Sequence, residues 1–257
     1  MLWAQEGAVG IATLNRPRAL NALTVELLEL LEELAADAER DPGVHALVIA
    51  GTGDRAFCAG ADLKTLEQEY AGSAEPDALV DVMHRVFGRL EGLELPVITA
   101  VRGYCFGGGL ELMLTADLAI AADDARFGFP EVNVGALPGA GGSQRLPRLI
   151  GARMAKLLMF TGESIDAAEA YRIGLVNRVV PAAELHAEAL ALAQAIAGKA
   201  PLAVRKIKEA VDGGLELELE VGLALERACH VFLRETDDRR EGISAFVEKR
   251  TPTFVGR

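Results

Sequence analysis

An α/β architecture, with a coiled β/α core and a helical C-terminal part, follows from two patterns. First, short apolar strand candidates are repeatedly followed by a glycine-rich bend and then by an amphipathic helix, at irregular intervals rather than in a strict repeat. Second, from Gly151 onward the periodicity becomes almost entirely helical.

The first strand candidate is Gly7 to Leu14, broken by Asn15, Arg16 and Pro17. Thr24 is a suitable N-cap for a helix over Val25 to Arg40, whose Leu27, Leu28, Leu31, Leu34 and Ala35 recur at helical spacing. Asp41, Pro42 and Gly43 stop it. His45 to Ala50 reads as a buried strand, followed by a glycine turn and a helix from Asp62. Ala71 to Asp77 is small, polar and proline-containing, the segment expected to be most mobile. A further helix runs to about Leu90. The pattern returns with a strand over Pro96 to Val101, the turn at Gly107 to Gly109, a helix from about Gly108 and a strand over Asp117 to Ala121. Helices are then expected over Ala152–Phe160, Asp166–Ile173, Ala183–Gly198, Leu202–Gly213, Leu215–Leu233 and Asp237–Arg250, with one strand at Val176–Val180.

A chain of 257 residues can bury one stable core and holds one or at most two domains. The net charge of −12 argues against non-specific nucleic-acid binding, which calls for a basic stripe. Cys58, Cys105 and Cys229 are widely spaced, form no CxxC pair and imply neither a disulfide framework nor a zinc site. The opening MLWAQEGAVG has no basic segment followed by an apolar run, and no stretch reaches the roughly 18 apolar residues of a membrane span. A cytoplasmic location without membrane association is the expectation.

The chemistry concentrates at two glycine turns and two glutamates. In GYCFGGGLEL, three consecutive glycines open a helix, so backbone N–H groups face outward without side chains to hold a ligand away. The helix dipole there favours negative charge. In FCAGADL, Ala61 follows Gly60 and offers a second N–H before the next helix. Two such donors suit a carbonyl oxygen that gains charge during reaction. Glu111 lies one turn into its helix among Leu110, Leu112 and Met113, an environment that should hinder ionisation. Glu131 follows Phe127, Gly128, Phe129 and Pro130, again a dry setting. Each feature alone reads as packing or a surface acid; together they are the parts needed to stabilise a thioester enolate and move protons around it.

Other constellations fail. There is no dinucleotide fingerprint after a strand, no P-loop, no HExxH among the four histidines and no GxSxG elbow. Cys58 lies beside the donor loop but has no evident activating histidine, and reads as a small buried residue.

These segments resemble the crotonase superfamily, specifically its enoyl-CoA hydratases. The resemblance spans almost the whole chain through NRPRALNAL, FCAGADLK, GYCFGGGLEL, the run from Ala116 to Gly151, GLVNRVVP and EGISAFVEKRTPTF. It implies a β/α spiral core over residues 1–195 and a helical trimerisation region over 196–257, in a homotrimer or dimer of trimers. It implies an oxyanion hole from the N–H groups of Ala61 and Gly108, Glu111 activating the water that attacks Cβ, and Glu131 exchanging a proton with Cα. Gly139 would help hold that water. Arg16, Ala19, Leu20, Ala22, Ala59, Asp62 and Leu63 match the loops that grip the CoA part, and Lys249 matches a cation near its phosphates. An acyl-CoA is then the substrate, with no separate cofactor and no metal.

Arg102 and Cys105 depart from the usual asparagine and alanine of the family, flanking the oxyanion turn without supplying its donor. The nearest alternative is a Δ3,Δ2-enoyl-CoA isomerase, which generally lacks an acid at the Glu111 position. A methylglutaconyl-CoA-type hydratase is another. RNA binding, found in a relative of that type through a lysine-rich helix, is disfavoured because the corresponding helix here carries Glu26, Glu29, Glu32, Glu33, Asp37 and Glu39. A catalytically silent structural homologue is disfavoured by the retention of both acids.

Overall fold

The computed structural model describes residues 1–71 and 78–257. The chain opens with a hairpin of β1 (Leu2–Glu6) and β2 (Val9–Leu14), then α1 (Val25–Arg40). Three spiral turns follow: β3 (Ala46–Gly51) and β4 (Ala56–Cys58) with α2 (Leu63–Tyr70) and α3 (Ala78–Glu91); β5 (Val97–Val101) and β6 (Tyr104–Phe106) with α4 (Gly108–Met113); β7 (Leu118–Ala122) and β8 (Arg126–Gly128) with α5 (Gly142–Ile150) and α6 (Ala152–Thr161). Then come β9 (Ser164–Asp166), α7 (Ala167–Arg172), β10 (Arg178–Val180) and α8 (Leu185–Ala197). The C-terminal helices are α9 (Pro201–Leu215), α10 (Leu219–Arg234) and α11 (Asp237–Glu248).

Each spiral turn gives one strand to each of two sheets. The larger sheet has the order β1-β2-β3-β5-β7-β10 and the smaller β4-β6-β8-β9. Pairing is parallel except where β1 joins β2 and β9 joins β8. The inner strands of the larger sheet, β2, β3, β5 and β7, are buried on both faces, which explains their nearly continuous apolar runs. Alternate residues divide between two cores. Val9, Ile11, Ala46, Val48, Ile98 and Ile120 join Leu185, Ala189 and Ala193 of α8. Leu14, Leu47, Ile49, Val97 and Val101 enter the main core with Leu27, Leu28 and Leu31 of α1, Met83 and Phe87 of α3, and Phe57, Phe127 and Phe129.

The expected α1 boundaries are those observed, and the Thr24 hydroxyl accepts from the Leu27 N–H at 3.3 Å. Asp62 caps α2 through Lys64, and Asp166 caps α7 rather than belonging to it. The expected mobile segment, apart from Ala71, lies outside the described residues. Strands β1, β4, β6, β8 and β9 and helix α5 were not anticipated. β1 is exposed throughout and lacks alternation, and each of the other four strands is only three residues long. Among the described residues no single helix is long and apolar enough to cross a membrane.

Candidate active site

The smaller sheet brings the two glycine turns together. β4 and β6 run parallel with Cys58 opposite Cys105, so both strands deliver their following bends at the same end. Gly60 turns with φ +102° and Gly107 with φ +51°, conformations that exclude most side chains. A Cβ on Gly60 would lie 3.3 Å from the Gly108 nitrogen, and one on Gly108 would lie 3.5 Å from the Ala61 nitrogen. Gly109 packs so closely on the Cys58 carbonyl that no side chain fits there. Among the described residues, neither the Ala61 nor the Gly108 N–H has an acceptor. Leu23 Cδ1 and Met83 Cε approach the Gly108 Cβ position to 3.3 Å, forming an apolar wall beside these donors.

Glu111 is buried within α4. Its Oε1 accepts from the Ala140 N–H at 2.7 Å and the Gly142 N–H at 2.8 Å, at the start of α5. Burial raises its pKa, while these two N–H groups and the charges of His84 and Arg145 oppose the rise. Among the described residues Oε2 of Glu111 has no hydrogen-bond partner. Glu131 stands in a 3-10 turn over Pro130–Val134. One oxygen, Oε1, lies 2.8 Å from where a Cβ on Gly107 would stand, at the start of α4. The other, Oε2, is buried and has no hydrogen-bond partner among the described residues. Burial first, and the nearby Glu111 charge second, push Glu131 up to about 7. The two acids therefore share one region but have different supports, one held by amides and one largely unsolvated.

The loops expected to hold CoA also converge. Ala59 N–H donates to the Leu20 carbonyl, Leu23 N–H to Gly60, and Asp62 N–H to Leu23, at 2.8–3.0 Å. Arg16 reaches the Ala22 carbonyl and forms a 2.8 Å ion pair with Asp62, whose pKa this hydrogen bond lowers. Ala19 ends a 3-10 turn and Leu20 has φ +53°. Leu63 is exposed at the start of α2.

Sequence reasoning did not single out Asn21, which organises this corner. It is fully buried at φ +55°, donates to the Thr52 and Ala56 carbonyls and accepts from the Arg16 N–H. An asparagine before a helix start was its only sequence signal. Ala140, Gly142, Arg145 and Glu91 were likewise missed.

Gly139 is exposed, immediately before the amides that hold Glu111. Lys249 is an exposed left-handed residue ending α11, and within one chain no described hydrogen bond or ion pair joins its side chain to the other residues named. Cys58 is buried, and burial pushes its thiol up to about 12, which disfavours a thiolate nucleophile. Among the described residues no cluster of three or more His, Cys, Asp or Glu is placed to hold a metal ion.

Paired amides at two turns, with two carboxyl groups of raised pKa alongside, make up a candidate acid/base site on a two-sheet β/α spiral. The enoyl-CoA hydratase/isomerase family model matches residues 4–257. The short-chain enoyl-CoA hydratase of Clostridium acetobutylicum is 42% identical over 246 residues, covering 96% of this chain and 94% of that one. The crotonyl-CoA hydratase of Syntrophomonas wolfei is 40% identical, covering 98% and 96%. The crystal structure of a Bacillus anthracis enoyl-CoA hydratase superposes with a TM-score of 0.95 at 40% identity, covering 100% and 99%. The chain belongs to the enoyl-CoA hydratase/isomerase family and has the crotonase fold.

Proposed function

We propose that the protein catalyses the reversible syn addition of water to a trans-2-enoyl-CoA, giving a 3-hydroxyacyl-CoA. The observation that carries this reading is the placement of both acids at the glycine turn: Glu111 within α4, and Glu131 against Gly107 at its start. An isomerase needs one acid to move a proton between carbons; hydration needs a second to activate water.

In the proposed reaction the thioester oxygen accepts from the Ala61 and Gly108 N–H groups. Glu111 takes a proton from water as the water oxygen bonds to Cβ. The electron pair of the double bond moves towards Cα and the thioester oxygen. Glu131 then gives its proton to Cα, and the reverse reaction returns each proton. A group near pKa 7 is suited to both directions at neutral pH. Removing one such oxyanion donor in other enzymes costs about 2.7–4 kcal/mol of transition-state stabilisation. Gly139 is assigned to the water, and Arg16, Ala19, Leu20, Ala22, Ala59, Asp62 and Leu63 to the CoA part. No separate cofactor is required, because CoA is carried by the substrate.

The assembly proposed is a homotrimer or dimer of trimers built through residues 196–257, with Lys249 reaching the CoA phosphates of a neighbouring subunit. Exposed Leu215, Leu219, Phe246 and Val247 on α9, α10 and α11 support this. The location proposed is cytoplasmic. The acidic α1 disfavours a nucleic-acid partner.

The test is loss of enoyl-thioester absorbance with purified protein and a panel of C4 to C10 and branched enoyl-CoAs. Hydration of at least one is expected. Absence of turnover across the panel would overturn the reading.

A further inference from the structure

The amides that hold Glu111 are themselves held by one side chain. Ala140 and Gly142 flank Gly141, which turns with φ +107°. Arg145, in the first turn of α5, lies over this bend so closely that its guanidinium occupies the space of a Gly141 side chain. Its Nη1 donates to the Ala140 carbonyl at 3.1 Å, and its main-chain N–H donates to the Gly141 carbonyl at 2.8 Å. The other side of the fork, Nε and Nη2, grips both carboxylate oxygens of Glu91 at 3.0 and 2.8 Å. Glu91 is the last residue of α3. A continuous path thus runs from the end of α3 through Arg145 and the 140–142 bend to Glu111 Oε1. The planar guanidinium is suited to it, because it can hold a carboxylate with two parallel bonds and still donate elsewhere.

We propose that Arg145, locked by Glu91, is a positioning residue that aims the Ala140 and Gly142 amides at Glu111 and so sets its orientation and readiness to act as a base. The kinetic part rests on the hydratase reading; the effect on Glu111 itself does not. Arg145 also acts through space: its charge favours the Glu111 anion, as does His84 of α3, while Glu131 is the neighbouring acid, whose own ionisation the Glu111 charge opposes. A lysine in its place keeps the charge but cannot hold Glu91 and Ala140 with the same fork.

The experiment combines kcat and KM for crotonyl-CoA against pH with carbon-13 NMR titration of labelled glutamate carboxyl groups. The Glu111 signal is assigned by its loss in Glu111→Gln. The proteins are wild type, Arg145→Gln and Arg145→Lys, each checked for folding by circular dichroism. For Arg145→Gln, kcat should fall about tenfold while KM stays within about twofold. Its Glu111 midpoint and the acid limb of kcat should both move upward by about one pH unit. Arg145→Lys should restore the midpoint more fully than kcat. An Arg145→Gln protein with kcat within about twofold of wild type, or with an unmoved Glu111 midpoint, would overturn the inference. If wild type hydrates no enoyl-CoA, the hydratase reading fails, while the NMR midpoint still decides the role of Arg145.

Discussion

Replacing Glu131 by glutamine should make the protein more stable at alkaline pH while removing most of its activity. A carboxyl group raised in the folded state from 4.5 to about 7 keeps its proton longer than it would in the unfolded chain. Below the unfolded value both states are protonated, and the group exerts no differential effect. As pH rises from 4.5 to 7, the unfolded chain releases the proton first, so folded stability falls and then levels off. A displacement of about 2.5 pH units corresponds to at most ~3.4 kcal/mol, and partial solvent access reduces this to about 2 kcal/mol. Glutamine keeps the shape without the charge. Urea unfolding at equal protomer concentration should therefore show Glu131→Gln more stable than wild type by about 2 kcal/mol at pH 8.5 and by under ~1 kcal/mol at pH 5.5. Hydration of crotonyl-CoA by the same variant should fall at least about tenfold. Equal stability of the two proteins at both pH values, or a less stable variant at pH 8.5, would refute the reasoning. Such a gain in stability with a loss of activity is expected where a reactive group is held in an unfavourable environment.

Two further substitutions test the corner that carries the site. Gly107→Ala places a Cβ against Glu131 Oε1 at a positive φ, so stability should fall by about 1–2 kcal/mol in urea titrations, with turnover falling more than CoA-ester affinity. Asn21→Ala removes three hydrogen bonds at a buried left-handed position and leaves the Thr52 and Ala56 carbonyls short of a donor, for a loss of about 3 kcal/mol by the same method.

How far the sequence foretold this structure depended on the range of the interaction. Helix α1 was readable because its cap, apolar stripe and stop signal are all local. The inner strands of the larger sheet were readable as apolar runs because both of their faces are covered, whereas exposed β1 was not. The smaller sheet was not, since three-residue strands carry too little periodicity to register, yet it is this sheet that aligns the two glycine turns. The burial of Glu111 could be inferred from its apolar neighbours. Its amide partners could not, because they lie 29 and 31 positions away on a later turn of the spiral. Arg145 and Glu91 are 54 positions apart, and Asn21 reaches a carbonyl 35 positions away, so the supports of the site emerge only from the fold.

The most direct measurement of the central claim is steady-state turnover of crotonyl-CoA by Glu111→Gln beside wild type. Glutamine retains the side-chain oxygen that the Ala140 and Gly142 amides hold, but it cannot take a proton from water. We expect turnover to fall by at least about tenfold and by as much as ~10⁴-fold, with binding of a CoA ester largely preserved. Wild-type turnover in this variant would contradict the account.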